Sequence, residues 1–332
     1  MSLTTMTDSN NFKIAANLAG QLPYRLLKCN PSYCEWLQNT QENFTEPFFD
    51  ETISRLKYSD ENRRPYKMLA HIDMLTEWAE FLPQAKPTAI IFHISRCGST
   101  LFSQLLSLQQ QNMVLAEVPF FDELLRLPFK NSIFSKEITT TLLNAAIKIY
   151  GNSSHNEPQH LFIKADSWHL HFYEQLRALY PGTPFILLYR NPLQVMFSQQ
   201  KRRGIQSVPG MIEPQVFGFD KAKAEEYDLD KYMANVLQTY FEKMISIAAN
   251  DKASILINYN EGALKGMEKI MAGCHVNIDD DYRKLIESRA GYHAKYPQQI
   301  FEEDNKQDEV AEYMQRNMAL YQQLDAMRLN VV

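Results

Sequence analysis

Read for its pattern of apolar and polar positions, the chain changes texture once. Up to about residue 85 it reads as polar and helical, with Trp36, Phe48, Phe49 and Trp78 available to dock on a larger body. Pro47 stands near an expected helix start within Asn43–Phe49, and Pro83 and Pro87 mark a break. From Thr88 onward, short β-branched and aromatic runs alternate with longer helical patterns. The runs are Ala89–Ile94, Met113–Ala116, Leu161–Ala165, Phe185–Tyr189 and Ser254–Asn258. Short apolar strands between amphipathic helices predict an α/β fold with a parallel sheet covered on both faces. Ligands of such sheets bind at the carboxyl ends of the strands, so chemistry is sought just after each run. A charged helical pattern over Glu302–Leu329 predicts a surface helix that closes the domain. The expected division is a helical N-terminal extension (1–86), an α/β domain (87–300) and a C-terminal helix (301–332).

Composition narrows the function classes. With 332 residues, 45% hydrophobic and 22% charged, the chain has the balance of a globular protein with a core, which excludes general disorder. A formal charge of −5 gives no reason to expect a nucleic-acid or membrane partner, so a basic site must be local. The cysteines Cys29, Cys34, Cys97 and Cys274 are too few and scattered for a disulfide framework or a zinc finger. The opening residues lack a basic segment followed by an apolar one, and the apolar runs are strand-sized, so a cytoplasmic location is expected.

The first motif is Phe92-His-Ile-Ser-Arg-Cys-Gly-Ser-Thr-Leu-Phe102, a buried strand running through a turn into a helix. Backbone N–H groups and the positive helix end converge there, and Gly98 permits close approach. Arg96 adds charge, and Ser99 and Thr100 add hydroxyl donors. The nucleotide P-loop G-x-x-x-x-G-K-[ST] is not matched: His93 stands at its first glycine and Ser99 at its lysine. That departure weakens the rival reading of a small-molecule kinase using ATP and Mg²⁺. The pattern instead resembles the 5′-phosphosulfate loop of sulfotransferases, with Arg96, Cys97, Gly98, Ser99 and Thr100 in its places.

The second motif is Phe185-Ile-Leu-Leu-Tyr-Arg190, a strand ending in a cation, with Asn191 and Pro192 as helix N-cap and first residue. Leu193, Met196 and Phe197 form the expected apolar stripe of that helix. In the family this resembles, an arginine here and a serine eight positions later bind the 3′-phosphate; Arg190 and Ser198 have that spacing. Guanidinium can take two phosphate oxygens and a hydroxyl completes the shell. A later stretch, Ile255 to Glu261, resembles the strand that flanks the adenine, which implies a role for Tyr259, although Asn260 interrupts the family's acidic pair. Arg289, Lys295 and the basic run Lys201–Arg203 are weaker candidates near the 3′-phosphate.

The resemblance implies a P-loop NTPase-like three-layer fold with about five parallel strands. It also implies a donor, 3′-phosphoadenosine-5′-phosphosulfate (product 3′-phosphoadenosine-5′-phosphate), and no required metal, because Arg96 and Lys164 can stabilise the leaving phosphate. The acceptor hydroxyl (or amine) must lose a proton, so a base is needed. Glu117 lies 21 positions after Arg96, the spacing of the catalytic glutamate in tyrosylprotein sulfotransferases, and Glu-Val-x-Phe-Phe-Asp resembles heparan 3-O-sulfotransferases. Asp166, in Phe162-Ile-Lys-Ala-Asp166, stands where phenol and steroid enzymes carry a histidine. It is the alternative base, with helix capping as its other reading. Glu117 is preferred. His169 and His171 have no carboxylate company in the sequence and are not read as a metal site. Gly204–Leu229 is expected to be a lid or acceptor loop. The acceptor stays open among small molecules, glycans and peptides, and a non-catalytic nucleotide-binding protein is a further alternative.

Overall fold

A computed structural model describes residues 20–39, 44–153, 158–290 and 310–330. The elements, in chain order, are β1 (Gln21–Leu26), β2 (Tyr33–Gln38), α1 (Phe49–Lys57), β3 (Met68–His71), α2 (Met74–Glu80), β4 (Ala89–His93) and α3 (Ser99–Leu106). There follow β5 (Asn112–Ala116), α4 (Pro119–Lys130), α5 (Lys136–Gly151), β6 (His160–Lys164), a 3₁₀ segment (Ser167–Phe172), α6 (Tyr173–Leu179), β7 (Phe185–Tyr189) and α7 (Pro192–Lys201). The last are α8 (Lys221–Ala224), α9 (Leu229–Asn250), β8 (Ser254–Asn258), α10 (Ala263–Gly273), α11 (Asp280–Ala290) and α12 (Gln315–Asn330).

The architecture is α/β. A five-stranded sheet has the order β5-β6-β4-β7-β8. The β4–β7 and β7–β8 pairs are parallel, with His93 opposite Leu188 and Tyr189 opposite Asn258. Every residue of β4, β5 and β7 is buried, which explains their unbroken apolar runs: a strand covered on both faces has no polar side to alternate. The predicted strands are found within one residue at each end. No helix among the described residues is long and apolar enough to cross a membrane.

The chain divides into two compact units: residues 1–87 with 109–162, and 88–108 with 163–332. In this division 109–162 groups with the N-terminal residues. The described part of that unit is not a helical extension. It contains the antiparallel sheet β1-β2-β3. Leu22 pairs with Leu37 and Leu26 with Cys34, and these residues, with Tyr24 and Trp36, are buried, while a register shift between Pro23 and Arg25 interrupts the simple alternation. Six-residue strands with charges at Arg25 and Glu35 imitate a polar helical texture when read without their partners.

Buried charge inside this unit is paired at Glu35. Glu35 is buried and accepts bonds from Tyr24, Arg25 (2.6 Å) and Lys67 (3.3 Å). Burial alone would raise its pKa, but those three donors hold it below the ordinary carboxylate value. The Tyr150 hydroxyl donates to the Pro23 carbonyl at 2.5 Å.

Glu123 on α4 accepts the Leu26 backbone N–H. Burial pushes its pKa up to about 7, only partly opposed by that bond. A raised folded-state value means that its contribution is fullest below the unfolded value and is lost as pH rises through about 7. Glu123→Gln keeps an acceptor and removes the ionisation. Wild type should lose thermal stability between pH 5 and pH 8, and the variant should lose measurably less; superimposable pH profiles would contradict this assignment.

Candidate functional site

The second unit carries a turn that few sequences tolerate. After β4 the chain passes Ser95 (φ 65°), Arg96 (φ 50°) and Gly98 (φ 81°), then enters α3. Left-handed backbone at two non-glycine residues in succession is costly and concentrates at functional sites. Surrounding bonds hold it. Ser95 N–H donates to His93 Nδ1 (3.1 Å), while its hydroxyl accepts from Gln206 Nε2 (2.8 Å) and Gln199 Nε2 (3.2 Å). The Cys97 thiol is buried and donates to the Leu188 carbonyl at 3.5 Å. Gly98 is the helix N-cap, without a side chain to satisfy the N–H groups of Ser99 and Thr100. Such a turn concentrates donors for an anion.

Gly98 is required on a second ground. A Cβ there would lie 2.1 Å from Cε2 of Tyr259. The tyrosine ring therefore rests on the turn, and the Arg190 guanidinium lies over that ring, 4.8 Å from its centroid. Arg190 Nε donates to Gln194 at 3.0 Å. Ser198 is bonded to Arg96 rather than to Arg190: Arg96 Nε reaches the Ser198 hydroxyl at 2.8 Å and Nη2 its carbonyl at 3.3 Å. Burial lowers the pKa of Arg96, and repulsion from Arg202 adds to this. Burial drives the Cys97 thiol up to about 11, although Arg190 and Lys164 pull it down. Lys164, at the end of β6, is fully buried. Arg96, Lys164, Arg190, Ser198 and Tyr259 are thus collected around one turn, with Cys97, Gly98, Ser99 and Thr100 forming it.

The buried face of α7 is Pro192, Val195, Met196 and Gln199, whereas Leu193 and Phe197 are half-exposed, so the expected stripe is rotated. The reason is Gln199, which faces inward to hold Ser95 and, through Oε1, the Gly204 N–H at 2.8 Å. Gly204–Leu229 contains two short 3₁₀ turns and α8, and its start is tied down by Gln206.

The strand ends that carry Arg190 and Tyr259 are wired to the C-terminal helix. Asp325 on α12 accepts from Tyr189 (2.8 Å), Asn258 (2.9 Å) and Arg328 (2.8 Å). Burial opposes ionisation, yet these donors hold its pKa down at about 2. Arg328 also pairs with Glu261 at 2.9 Å. Of the helical pattern read over Glu302–Leu329, residues 302–309 lie outside the described residues; α12 spans Gln315–Asn330 and does more than cover a surface. The sequence signal was faint: single polar residues at strand ends, with partners more than sixty positions away. Arg289 donates to Gln104 on α3, and Lys295 lies outside the described residues.

Asp166 is the N-cap of the 3₁₀ segment in a capping box with His169. Its N–H donates to His169 Nδ1 at 3.2 Å, and its carboxylate lies 3.7 Å from Nε2. The expectation that His169 lacks carboxylate company is therefore corrected; the chain's turn at Ser167 brings i and i+3 together. His171 is half-buried beside Thr239, Phe217 and Tyr240, and desolvation lowers its pKa to about 4. Glu117 belongs to the first unit. It sits between β5 and α4 with φ 55°, half-buried, and its charge helps to raise the pKa of Asp50, after burial as the main cause. Asp50 was not singled out from sequence, because only folding brings α1 within range of that strand end.

No family model and no curated protein matches the chain. Among solved structures it is similar to the sulfotransferase STF9 from Mycobacterium avium (12% identity, 79% of this chain and 81% of that one, TM-score 0.47). It is similar too to the sulfotransferase domain from the curacin biosynthetic pathway (14%, 73% and 99%, 0.47). A third is sulfotransferase STF1 from Mycobacterium tuberculosis H37Rv (10%, 65% and 76%, 0.43). At these scores the likeness stops at the general course of the chain.

The double demand on position 98 is testable. Gly98→Ala should destabilise by at least about 1–2 kcal/mol from its left-handed backbone alone, plus the displacement of the Tyr259 ring. In a Tyr259→Ala background the ring part should vanish and the backbone part persist. Denaturant melts giving the same cost in both backgrounds would refute the ring contact.

Proposed function

We propose that the protein is a sulfotransferase that moves a sulfuryl group from 3′-phosphoadenosine-5′-phosphosulfate to an acceptor hydroxyl. The observation that carries this reading is the gathering of Arg96, Ser198, Arg190 and Tyr259 around the left-handed turn at Gly98. Two guanidinium groups, a hydroxyl, an aromatic face and a helix N-terminus suit a nucleotide with phosphates at two ends. The repulsion between Arg96 and Arg202 is what an anion would relieve.

When bound, the donor supplies the sulfuryl group and a stable bisphosphate leaving group. In this reading the N–H groups of Gly98, Ser99 and Thr100, with Arg96 and Lys164, hold the 5′-phosphate side. Arg190 and Ser198 take the 3′-phosphate, and Tyr259 offers its ring to the base. Charge growing on the leaving oxygen is met by cations already in place, which is the main source of acceleration in transfers of this kind.

Glu117 is the proposed general base. Its left-handed backbone at a strand end is the kind of local cost that persists where a side chain must be aimed. Asp166 is the weaker candidate, since its carboxylate and N–H are engaged with His169. The acceptor is proposed no further than a hydroxyl compound.

Two measurements test the proposal. By titration calorimetry, wild type should prefer 3′-phosphoadenosine-5′-phosphate to AMP, and Arg190→Ala should lose most of that preference. Arg96→Ala should weaken binding by ~1.5–3 kcal/mol. Tighter binding of ATP with Mg²⁺ than of either would favour a kinase. In turnover, or in slow donor hydrolysis, Glu117→Gln should cost ~10²–10⁴-fold with donor affinity nearly unchanged. Asp166→Asn should act mainly on stability; a dead Asp166→Asn beside an active Glu117→Gln would reverse the assignment of the base.

A further inference from the structure

The first unit contains a cleft of about 350 Å³ that the proposed reaction does not use, bordered by β1, β2, the start of β3 and the segment after α1. That volume is at the small end of ligand sites. Four cations, Arg25, Lys57, Arg64 and Lys67, line it against one acid, Glu61. Glu35 absorbs part of this charge through its ion pairs with Arg25 and Lys67. Lys57 and Arg64 have no carboxylate within salt-bridge range among the described residues. Counting Glu35 and Glu61 leaves an excess of two positive charges in a chain whose net charge is −5.

The crowding has a visible effect. Burial lowers the pKa of Lys57, and Arg25 and Lys67 push it further in the same direction, against a weaker opposing pull from Glu35 and Asp50. The lysine ammonium sits over the Tyr24 ring, 4.6 Å from its centroid. Cations gathered in a concave site without matching acids are stabilised by a bound anion.

Two other features describe the rest of the ligand. Tyr66 and Met68 on the cleft wall are 71% and 41% exposed, an apolar surface left to water. Trp36 also lines the cleft, and its far side packs against Trp78 at 4.7 Å between ring centroids. Its Nε1 is sealed from water and makes no hydrogen bond among the described residues; the Cys34 thiol beside it is a weak acceptor at best.

We propose that this cleft binds a small planar organic anion, an aryl carboxylate or an aryl sulfate ester, with its charge at Lys57 and Arg64 and its ring against the exposed Tyr66 and Met68. The two chemistries correspond to two sources. Under the proposed sulfotransfer, a hydroxylated aryl carboxylate would stand on the acceptor side and an aryl sulfate on the product side, although the binding itself does not depend on that reading. The site is argued from the first unit alone, so it stands or falls apart from sulfotransfer.

The test is calorimetry on the full chain with 4-hydroxybenzoate, 4-nitrophenyl sulfate and inorganic sulfate, without nucleotide. At least one aryl anion should bind saturably and more tightly than inorganic sulfate, and the tighter of the two identifies the source. Lys57→Ala with Arg64→Ala should weaken it about tenfold or more. Both side chains are exposed, so the melting temperature should be unchanged, as should the affinity for 3′-phosphoadenosine-5′-phosphate. Tyr66→Ala, at an exposed position of the cleft wall, should weaken the aryl anion as well. No saturable binding of either aryl anion, binding indifferent to the double substitution, or inorganic sulfate binding as tightly would each overturn the proposal.

Discussion

The site depends on the absence of a side chain at position 98. With φ at 81°, Gly98 turns the chain from β4 into α3. Its missing Cβ leaves the space that the Tyr259 ring fills. Any larger residue would strain the turn and displace the ring on which Arg190 lies. One residue type thereby couples three strand ends, those of β4, β7 and β8. This explains why the turn tolerates left-handed backbone at Ser95 and Arg96 as well: the neighbours over-determine it.

The surroundings are built to keep that arrangement still. Gln199 and Gln206 hold Ser95 from one side, and the segment after α7 is anchored through the same two glutamines. From the other side, Asp325 gathers Tyr189, Asn258 and Arg328, so the residues directly before Arg190 and Tyr259 share one acceptor. Charged hydrogen bonds of this kind are strong and directional. A cation that must meet developing charge works best if it need not reorganise, and these contacts supply that rigidity in the second unit.

What was legible in the sequence followed from local rules. Strands buried on both faces appear as apolar runs, and their ends, with Gly98 and with Asn191-Pro192, announce turns and helix starts. The five strands and the turn were read on that basis. The N-terminal sheet was not, because Arg25 and Glu35 satisfy each other across β1 and β2 and thus disguise strands as a polar helix. The inward face of α7 was misjudged because a buried glutamine looks like a surface residue until its partner is known. The grouping of 109–162 with the first unit and the Asp325 cluster depend on contacts distant in sequence, which no local pattern encodes. Asp166 illustrates the opposite case: its capping role was among the readings that local rules provide.

The central claim is that one turn receives the phosphate and its neighbours receive the rest of a bisphosphate nucleotide. A crystal structure with 3′-phosphoadenosine-5′-phosphate tests this most directly. The account predicts the 5′-phosphate against the N–H groups of Gly98, Ser99 and Thr100, and the 3′-phosphate within hydrogen-bond distance of Arg190 and Ser198. It would be contradicted by a nucleotide bound elsewhere, or by one seated at the turn with its 3′-phosphate directed into solvent.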